Sequence, residues 1–344
     1  MCGFLVVGSS ELELQVFNDA LNQAAYRGPD HQHVSINNGI TWGFNRLSIM
    51  DLSSKGNQPF VYKDCVLVCN GEVYNYHSLK AMLETDYTFK SGSDCEVLIP
   101  LYHKYGIEIL CKFLDAEFAM VIYDAKKDKI LAARDPMGIR PMFYGYHKED
   151  GKICFASEAK GLFPLCQEIM PFPPGHYYED GKFICYNDLS NPKTINNDDL
   201  ETIAINLRLK LEKAVEKRLQ SDAPIGYLLS GGLDSSLVCA IAARLNDQPI
   251  KTFAIGMDTD PIDLKYAKQV ADYLGTDHTE VIMTKEDLLE NLRDVIFHLE
   301  TYDITTIRAS MAMYLLCKYI HEKTDLKVIL TGEVSDELFG YKYT

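Results

Sequence analysis

Ile225-Gly-Tyr-Leu-Leu-Ser-Gly-Gly-Leu-Asp-Ser-Ser236 decides how the second half of this chain is read. Residues 225–229 form a continuous apolar run, as expected of a strand buried on both faces. Residues 234–245 carry helical spacing, so a strand, a Gly-Gly turn and a helix follow one another. Gly231 and Gly232 let the backbone approach a ligand closely. The N–H groups that open the helix favour an anion, with the helix dipole behind them. Ser230, Ser235 and Ser236 add hydroxyl donors. Asp234 can hold a divalent cation against phosphate oxygens. A Gly-Gly turn with a Ser/Asp helix cap is the ordinary alternative, and the strand–glycine–helix order makes it the weaker one.

Outward from this stretch the pattern repeats. Residues 251–255, 278–283 and 326–330 read as strands, and residues 200–220, 263–274, 285–298 and 308–322 as helices. The alternation predicts right-handed βαβ units around a buried parallel sheet. Ligand sites in open sheets of this kind lie beyond the carboxyl ends of the strands. The loop after the last strand, Leu330-Thr-Gly-Glu-Val-Ser-Asp-Glu337, therefore belongs to the same expected site. Asp336 is its candidate metal ligand and Glu333 its candidate general base. The sequence ends soon after, at Gly340-Tyr-Lys-Tyr-Thr344, and a missing C-terminal portion is expected. No GxxxxGK[ST] occurs, which excludes the phosphate loop of that pattern.

Upstream, residues 187–199 are polar and turn-rich and read as a linker. Before them the texture is short strands and turns with a few helices: residues 66–69, 119–123, 129–133, 141–146 and Ile153–Ala156 are apolar or alternating runs. The chain opens Met1-Cys2-Gly3, followed by the apolar run Phe4-Leu-Val-Val7. Initiator methionine is removed before a small residue, which leaves Cys2 with a thiol and a free α-amine. An amine of unperturbed pKa about 7.7–8 can serve that thiol as base. Asn70-Gly71 offers an amide and a glycine N–H as an oxyanion hole for a carbon attacked by Cys2. Arg46 can clamp an α-carboxylate bidentately, and Glu72 and Asp94 can hold an α-ammonium. Together these describe a free amino acid with a side-chain amide, glutamine. Taken singly, Asn70-Gly71 also reads as a hairpin turn, Arg46 as a surface ion pair, and Asp94 as a helix N-cap.

A net charge of −15 over 344 residues argues against non-specific binding to nucleic acid or an anionic membrane, since both need a basic face. The ten cysteines form no CxxC pair, and no secretory signal or membrane-length apolar stretch occurs. Reduced thiols and a cytoplasmic location are expected, with Cys65 and Cys69 as core filling.

Over essentially the whole chain these motifs resemble the glutamine-dependent asparagine synthetases. SGGLDSS is similar to the pyrophosphate loop of ATP pyrophosphatases, which adenylylate a carboxylate. The resemblance implies a glutaminase domain over residues 2–190, a class II glutamine amidotransferase with the αββα sandwich of N-terminal nucleophile enzymes. In it Cys2 is the nucleophile, Asn70 and Gly71 the oxyanion hole, and Arg46, Asn70, Glu72 and Asp94 the glutamine site. It implies a synthetase domain over residues 200–344, with a parallel α/β sheet like that of adenine-nucleotide hydrolases. There Leu228 and Ile255 contact adenine through backbone. Ser230, Gly231, Gly232, Leu233, Asp234, Ser235 and Ser236, with Thr331 and Gly332, cradle ATP. Asp234 and Asp336 bind Mg²⁺, and Thr305, Thr306 and Arg308 bind aspartate.

The implied reaction converts aspartate to asparagine through an acyl-adenylate, using ammonia carried from glutamine along a passage between the sites. Val334 stands where the family has the second glycine of GEGSDE, and valine is strained there if the position needs a positive φ. The family also has a further helical segment, with a lysine on the phosphates, so a homo-oligomer or a partner chain supplying those helices is a further expectation. Two alternatives are a glutaminase or subunit without synthetase activity, and an amidotransferase for another carboxylate.

Overall fold

The computed structural model describes residues 1–9, 12–192 and 194–340. Its contacts divide the chain into Met1–Asn196 and Asn197–Thr344, each with a core of its own. Residues 341–344, the end of the expected 200–344 domain, lie outside the described residues.

In the first unit the order is β1 (Gly3–Val7), α1 (Leu14–Asn22), β2 (His31–Asn37), β3 (Ile40–Arg46), β4 (Phe60–Tyr62), β5 (Cys65–Val73), α2 (Tyr76–Leu83), α3 (Leu98–Phe113), β6 (Ala116–Asp124), β7 (Lys129–Arg134), β8 (Phe143–His147), β9 (Ile153–Ala156), β10 (Cys166–Pro171), β11 (His176–Glu179) and β12 (Lys182–Cys185). One antiparallel sheet runs β10-β8-β9-β1-β3-β2 and the other β12-β11-β7-β6-β5-β4. Strand side chains alternate between faces, and here both faces are apolar. Phe4 and Val6 of β1, with Trp42 and Phe44, meet Val66, Val68 and Val121 of the second sheet. Leu5 and Val7, the other face of β1, pack on Phe17, Ala20 and Leu21 of α1. Leu67 and Cys69 of β5 face Leu79 and Leu83 of α2 and Leu98, Leu101 and Leu110 of α3. Helix, sheet, sheet, helix is therefore the layering, the αββα sandwich that was expected.

The second unit runs α4 (Leu200–Arg218), β13 (Ile225–Leu228), α5 (Leu233–Leu245), β14 (Lys251–Met257), α6 (Ile262–Leu274), β15 (Asp277–Met283), α7 (Lys285–Leu299), α8 (Ile304–Lys323), β16 (Val328–Leu330) and α9 (Ser335–Phe339). Its sheet, in the order β15-β14-β13-β16, is parallel throughout. Val215 of α4, Cys239 and Ala242 of α5, and Leu264 and Ala271 of α6 cover one face. Leu316 and Ile320 of α8 pack on Leu228 and Phe253 at the other.

The predicted helix over 308–322 begins earlier, at Ile304, because the Asp303 carboxylate accepts the Thr306 N–H at 2.7 Å and caps it. The predicted strand over 326–330 shortens to Val328–Leu330, and the loop beyond it turns into the short helix α9. Among the described residues no helix is long and apolar enough to cross a membrane.

Candidate active sites

Cys2 lies one residue before β1, the fully buried strand that anchors it. Its carbonyl accepts Arg27 Nε at 2.9 Å, and Arg27 Nη1 pairs with Glu158 at 2.9 Å. Tyr26 and Lys160 also bond Glu158, and the Phe4 N–H donates to Ser157 Oγ at 3.0 Å. A segment tied this way is a fixed terminus, not a frayed one. The Cys2 thiol exchanges contacts with Leu47, receiving its N–H at 3.4 Å and facing its carbonyl at 3.5 Å. Burial raises the Cys2 thiol above its ordinary pKa, against the pull of the adjacent α-amine. That amine, borne by Met1, is pushed down to about 5, first by burial and then by Arg27 and Arg140. With Met1 in place, burial therefore disfavours charge on both this amine and the thiol.

Asn70 and Gly71 lie within β5, paired with Ala119 and Phe118 of β6, so the hairpin-turn alternative is excluded. Asn70 is 1% exposed and its Nδ2 has no hydrogen-bond partner among the described residues. A buried amide without a partner is costly, and a ligand oxygen would relieve that cost. At Gly71 a Cβ would fall 2.6 Å from the Glu117 carbonyl oxygen, so close contact with β6 requires glycine. Asp94 opens a single 3-10 turn, Asp94–Val97, with Ser93 at the cap position, which removes the N-cap alternative. Its Oδ2 accepts the Val73 N–H at 2.6 Å, next to Glu72. Burial, first of all, raises both carboxyls, and Asp94 raises Glu72 further. Two buried acids that resist ionisation together form a place for a cation.

Arg46 is not the surface ion pair that its sequence position also allowed. It is buried, at 5% exposure, and makes no ion pair with a carboxylate among the described residues. Nη1 donates to the Ser53 carbonyl and to Asn57 Oδ1, each at 2.7 Å, and Nη2 to the carbonyls of Met50 and Asp51. All four terminal N–H groups thus brace the loop that follows β3. A carboxylate can engage these groups only by displacing loop carbonyls.

Sequence reading missed Arg140 and Glu117, a buried pair at 2.9 Å whose carboxylate also accepts Tyr74 OH at 2.8 Å. The charge of Arg140 acts on Cys2, Glu72 and the Met1 amine. A signal was available in Ala-Glu-Phe-Ala-Met-Val-Ile-Tyr-Asp124, where Glu117 is the charge inside an apolar strand.

In the second unit the chain leaves β13 for β14 on one side and returns to β16 on the other, so the loops after β13 and β16 flank a topological switch point. Leu228, Ser230, Gly232, Asp234 and Ser235 from the first loop, and Thr331, Gly332, Glu333 and Asp336 from the second, line a cavity of about 250 Å³. Gly231 has φ +81°, and a Cβ there would lie 2.5 Å from the Ala267 N of α6. Gly332 lets the loops abut, since a Cβ would lie 2.6 Å from the Ser235 N. Ser230 Oγ and Ser235 Oγ are 2.9 Å apart, and Ser236 Oγ is buried without a partner.

Val334 has φ +74°, so the strain expected of valine at a glycine position is present. Gly231, Leu233, Ser236 and Ile255 are outside the cavity lining. So are Thr305, Thr306 and Arg308, which stand exposed on the first turns of α8, while Met313 further along that helix reaches the wall.

The fold defines an αββα sandwich followed by a parallel α/β unit with a cavity at its strand ends. Residues 1–174 match the model of the glutamine amidotransferase domain, and residues 206–344 that of asparagine synthase. A probable glutamine-hydrolysing asparagine synthetase of Schizosaccharomyces pombe is 41% identical over 99% of this chain and 65% of its own length. Asparagine synthetase B of Escherichia coli is 42% identical over 92% of this chain and 59% of its own. For the asparagine synthetase of Gallus gallus the identity is 40%, over 100% of this chain and 67% of that protein. The chain belongs to the glutamine-hydrolysing asparagine synthetase family, and it spans about 60% of the Escherichia coli relative's length.

Proposed function

We propose that this chain takes ammonia from glutamine at the first site and uses it, with ATP and aspartate, to make asparagine at the second. The observation that carries the reading is the orphaned Asn70 Nδ2 in the unit that holds Cys2 and the Glu72–Asp94 pair. With Met1 removed, Cys2 sulfur attacks the side-chain amide carbon while the α-amine takes the thiol proton. Asn70 Nδ2 and the Gly71 N–H receive the oxyanion. The C–N bond breaks, the amine's proton goes to the leaving nitrogen, and ammonia departs from a Cys2 thioester that water cleaves to glutamate. Glu72 and Asp94 hold the α-ammonium. Arg46 orders the loop beside them.

At the second site the Gly231–Gly232 backbone, the serine hydroxyls and Thr331–Gly332 hold the triphosphate. The aspartate side-chain carboxylate attacks the α-phosphorus, pyrophosphate leaves, and ammonia displaces AMP from the acyl-adenylate. Glu333 takes a proton from the attacking nitrogen. Asp234 and Asp336 line one cavity and fit Mg²⁺, which keeps waters and phosphate oxygens among its ligands and needs few carboxylates. When bound, Mg²⁺ neutralises phosphate charge. Ten free thiols fit a reducing cytoplasm.

The test is a paired assay with aspartate, ATP and Mg²⁺, with glutamine or ammonium as nitrogen donor. Cys2→Ala abolishes glutamine-driven asparagine formation and spares the ammonium-driven reaction, and glutamine turnover by that variant would refute the assignment. The exposure of Thr305, Thr306 and Arg308 away from the cavity favours one second reading, a different acceptor acid. Pyrophosphate release compared across carboxylic acids separates the two.

A further inference from the structure

The first site has two ends from different parts of the chain, and one side chain joins them. Arg46 braces the loop after β3, and Asp94 opens the turn before α3. Asp51 belongs to the first loop, at φ +55°, and its own carbonyl accepts Arg46 Nη2. Its carboxylate oxygens divide their work. Oδ1 stays local, accepting the Ser53 N–H at 3.0 Å and Ser53 Oγ at 2.6 Å. Oδ2 accepts the Gly92 N–H at 2.8 Å across 41 residues of sequence. Gly92 is two residues before Asp94. The adjacent Ser91 is fixed separately, its N–H and Oγ both donating to the buried Glu96. A chain of contacts therefore runs from Arg46 through Asp51 and Gly92 to Asp94.

We propose that Asp51 is a positioning residue for glutamine, a latch that sets the distance between the loop Arg46 braces and the Glu72–Asp94 pair. The inference rests on the glutaminase reading above. An amino acid seated between this loop and the acid pair needs them at one spacing, and a bond between the two segments fixes that spacing before the ligand arrives. Asp51 is only partly buried and belongs to none of the apolar cores, so its contribution is to loop geometry and not to the fold. Asn at this position has one acceptor oxygen and cannot serve Ser53 and Gly92 as the two carboxylate oxygens do.

The experiment uses the full chain and reads glutamine hydrolysis together with alkylation of Cys2 by iodoacetamide. Asp51→Asn raises KM for glutamine roughly tenfold or more while kcat stays within about threefold. The free-enzyme alkylation rate is unchanged, and the glutamine concentration that half-protects Cys2 rises in step with KM. Ser53→Ala, which cuts the side-chain bond to Asp51 and the cap on the Lys55 N–H but leaves the Gly92 bond, raises KM by less than about threefold. Thermal melting confirms that both variants are folded.

An unchanged KM in folded Asp51→Asn overturns the latch and leaves the glutaminase reading standing. So does a Ser53→Ala variant as impaired as Asp51→Asn, because the local bond would then be the one that matters. A wild-type chain in which glutamine neither turns over nor protects Cys2 sinks the glutaminase reading, and the latch with it.

Discussion

The two units build their candidate sites from different material. In the first unit Asn70, Glu72 and Asp94 project from a strand and a turn packed into the sandwich, and Cys2 immediately precedes a central strand. Their surroundings are fixed, and burial dominates their protonation. In the second unit the groups sit on loops beyond the strand ends, where backbone amides and exposed carboxylates border an open cavity. The difference fits what each site is proposed to hold. An oxyanion hole and an ammonium site work through a few oriented partners in a dry place, where electrostatic interactions are strong. A triphosphate brings several charges of its own and is better met by many N–H groups and a hydrated cation.

Changes to single atoms should therefore be felt most in the first site, and changes to backbone shape in the second. Asn70→Ala removes the orphaned donor and should lower kcat for glutamine hydrolysis by about 10²–10³, with ammonium-driven synthesis unaffected. A loss shared by both reactions would break the comparison. Gly231→Ala places a Cβ against α6 at φ +81° and should cost about 2–3 kcal/mol together with ATP affinity. Calorimetric melting and ATP titration check this, with glutamine hydrolysis retained.

Asp94→Asn should raise KM for glutamine roughly tenfold. The pH dependence sharpens that prediction. Burial raises the Glu72 and Asp94 carboxyls, so in the empty site they keep protons to higher pH than ordinary acids. An α-ammonium favours their ionised forms, so binding releases protons and glutamine affinity should rise with pH through that raised range. Below it, affinity falls. Titration of glutamine at several pH values tests the sign, and Asp94→Asn should flatten the slope. The smallest effect is expected at Val334→Gly, which relieves the left-handed strain and should stabilise the second unit by about 0.5–1 kcal/mol. A lower melting temperature in that variant would show that the valine side chain contributes more than its backbone costs.

How far the chain could be read in advance follows the same division. The strand Ile153–Ala156 and the helices of the second unit came within a few residues, because fully buried strands and amphipathic helices carry clear apolar signals. His31–Asn37 gave no such signal, since its polar side chains lie at a sheet edge and only pairing with β3 makes it a strand. Arg46 was legible as important, but the loop it braces was not. A sequence shows a guanidinium but not the carbonyls of Met50, Asp51 and Ser53 that fold back onto it.

The order of residues was enough to establish the alternation of strands and helices, the glycine-rich turn after residues 225–229, and the list of groups able to do chemistry. These are local properties, written in periodicity and side-chain type. Tertiary structure alone decided that Asn70 lies in mid-strand with an unpaired amide, that Arg140 charges the pocket of Cys2, and that Asp51 reaches Gly92. Each depends on segments far apart in the chain meeting in a packed interior, where burial sets which polar atoms are satisfied and which are left for a ligand.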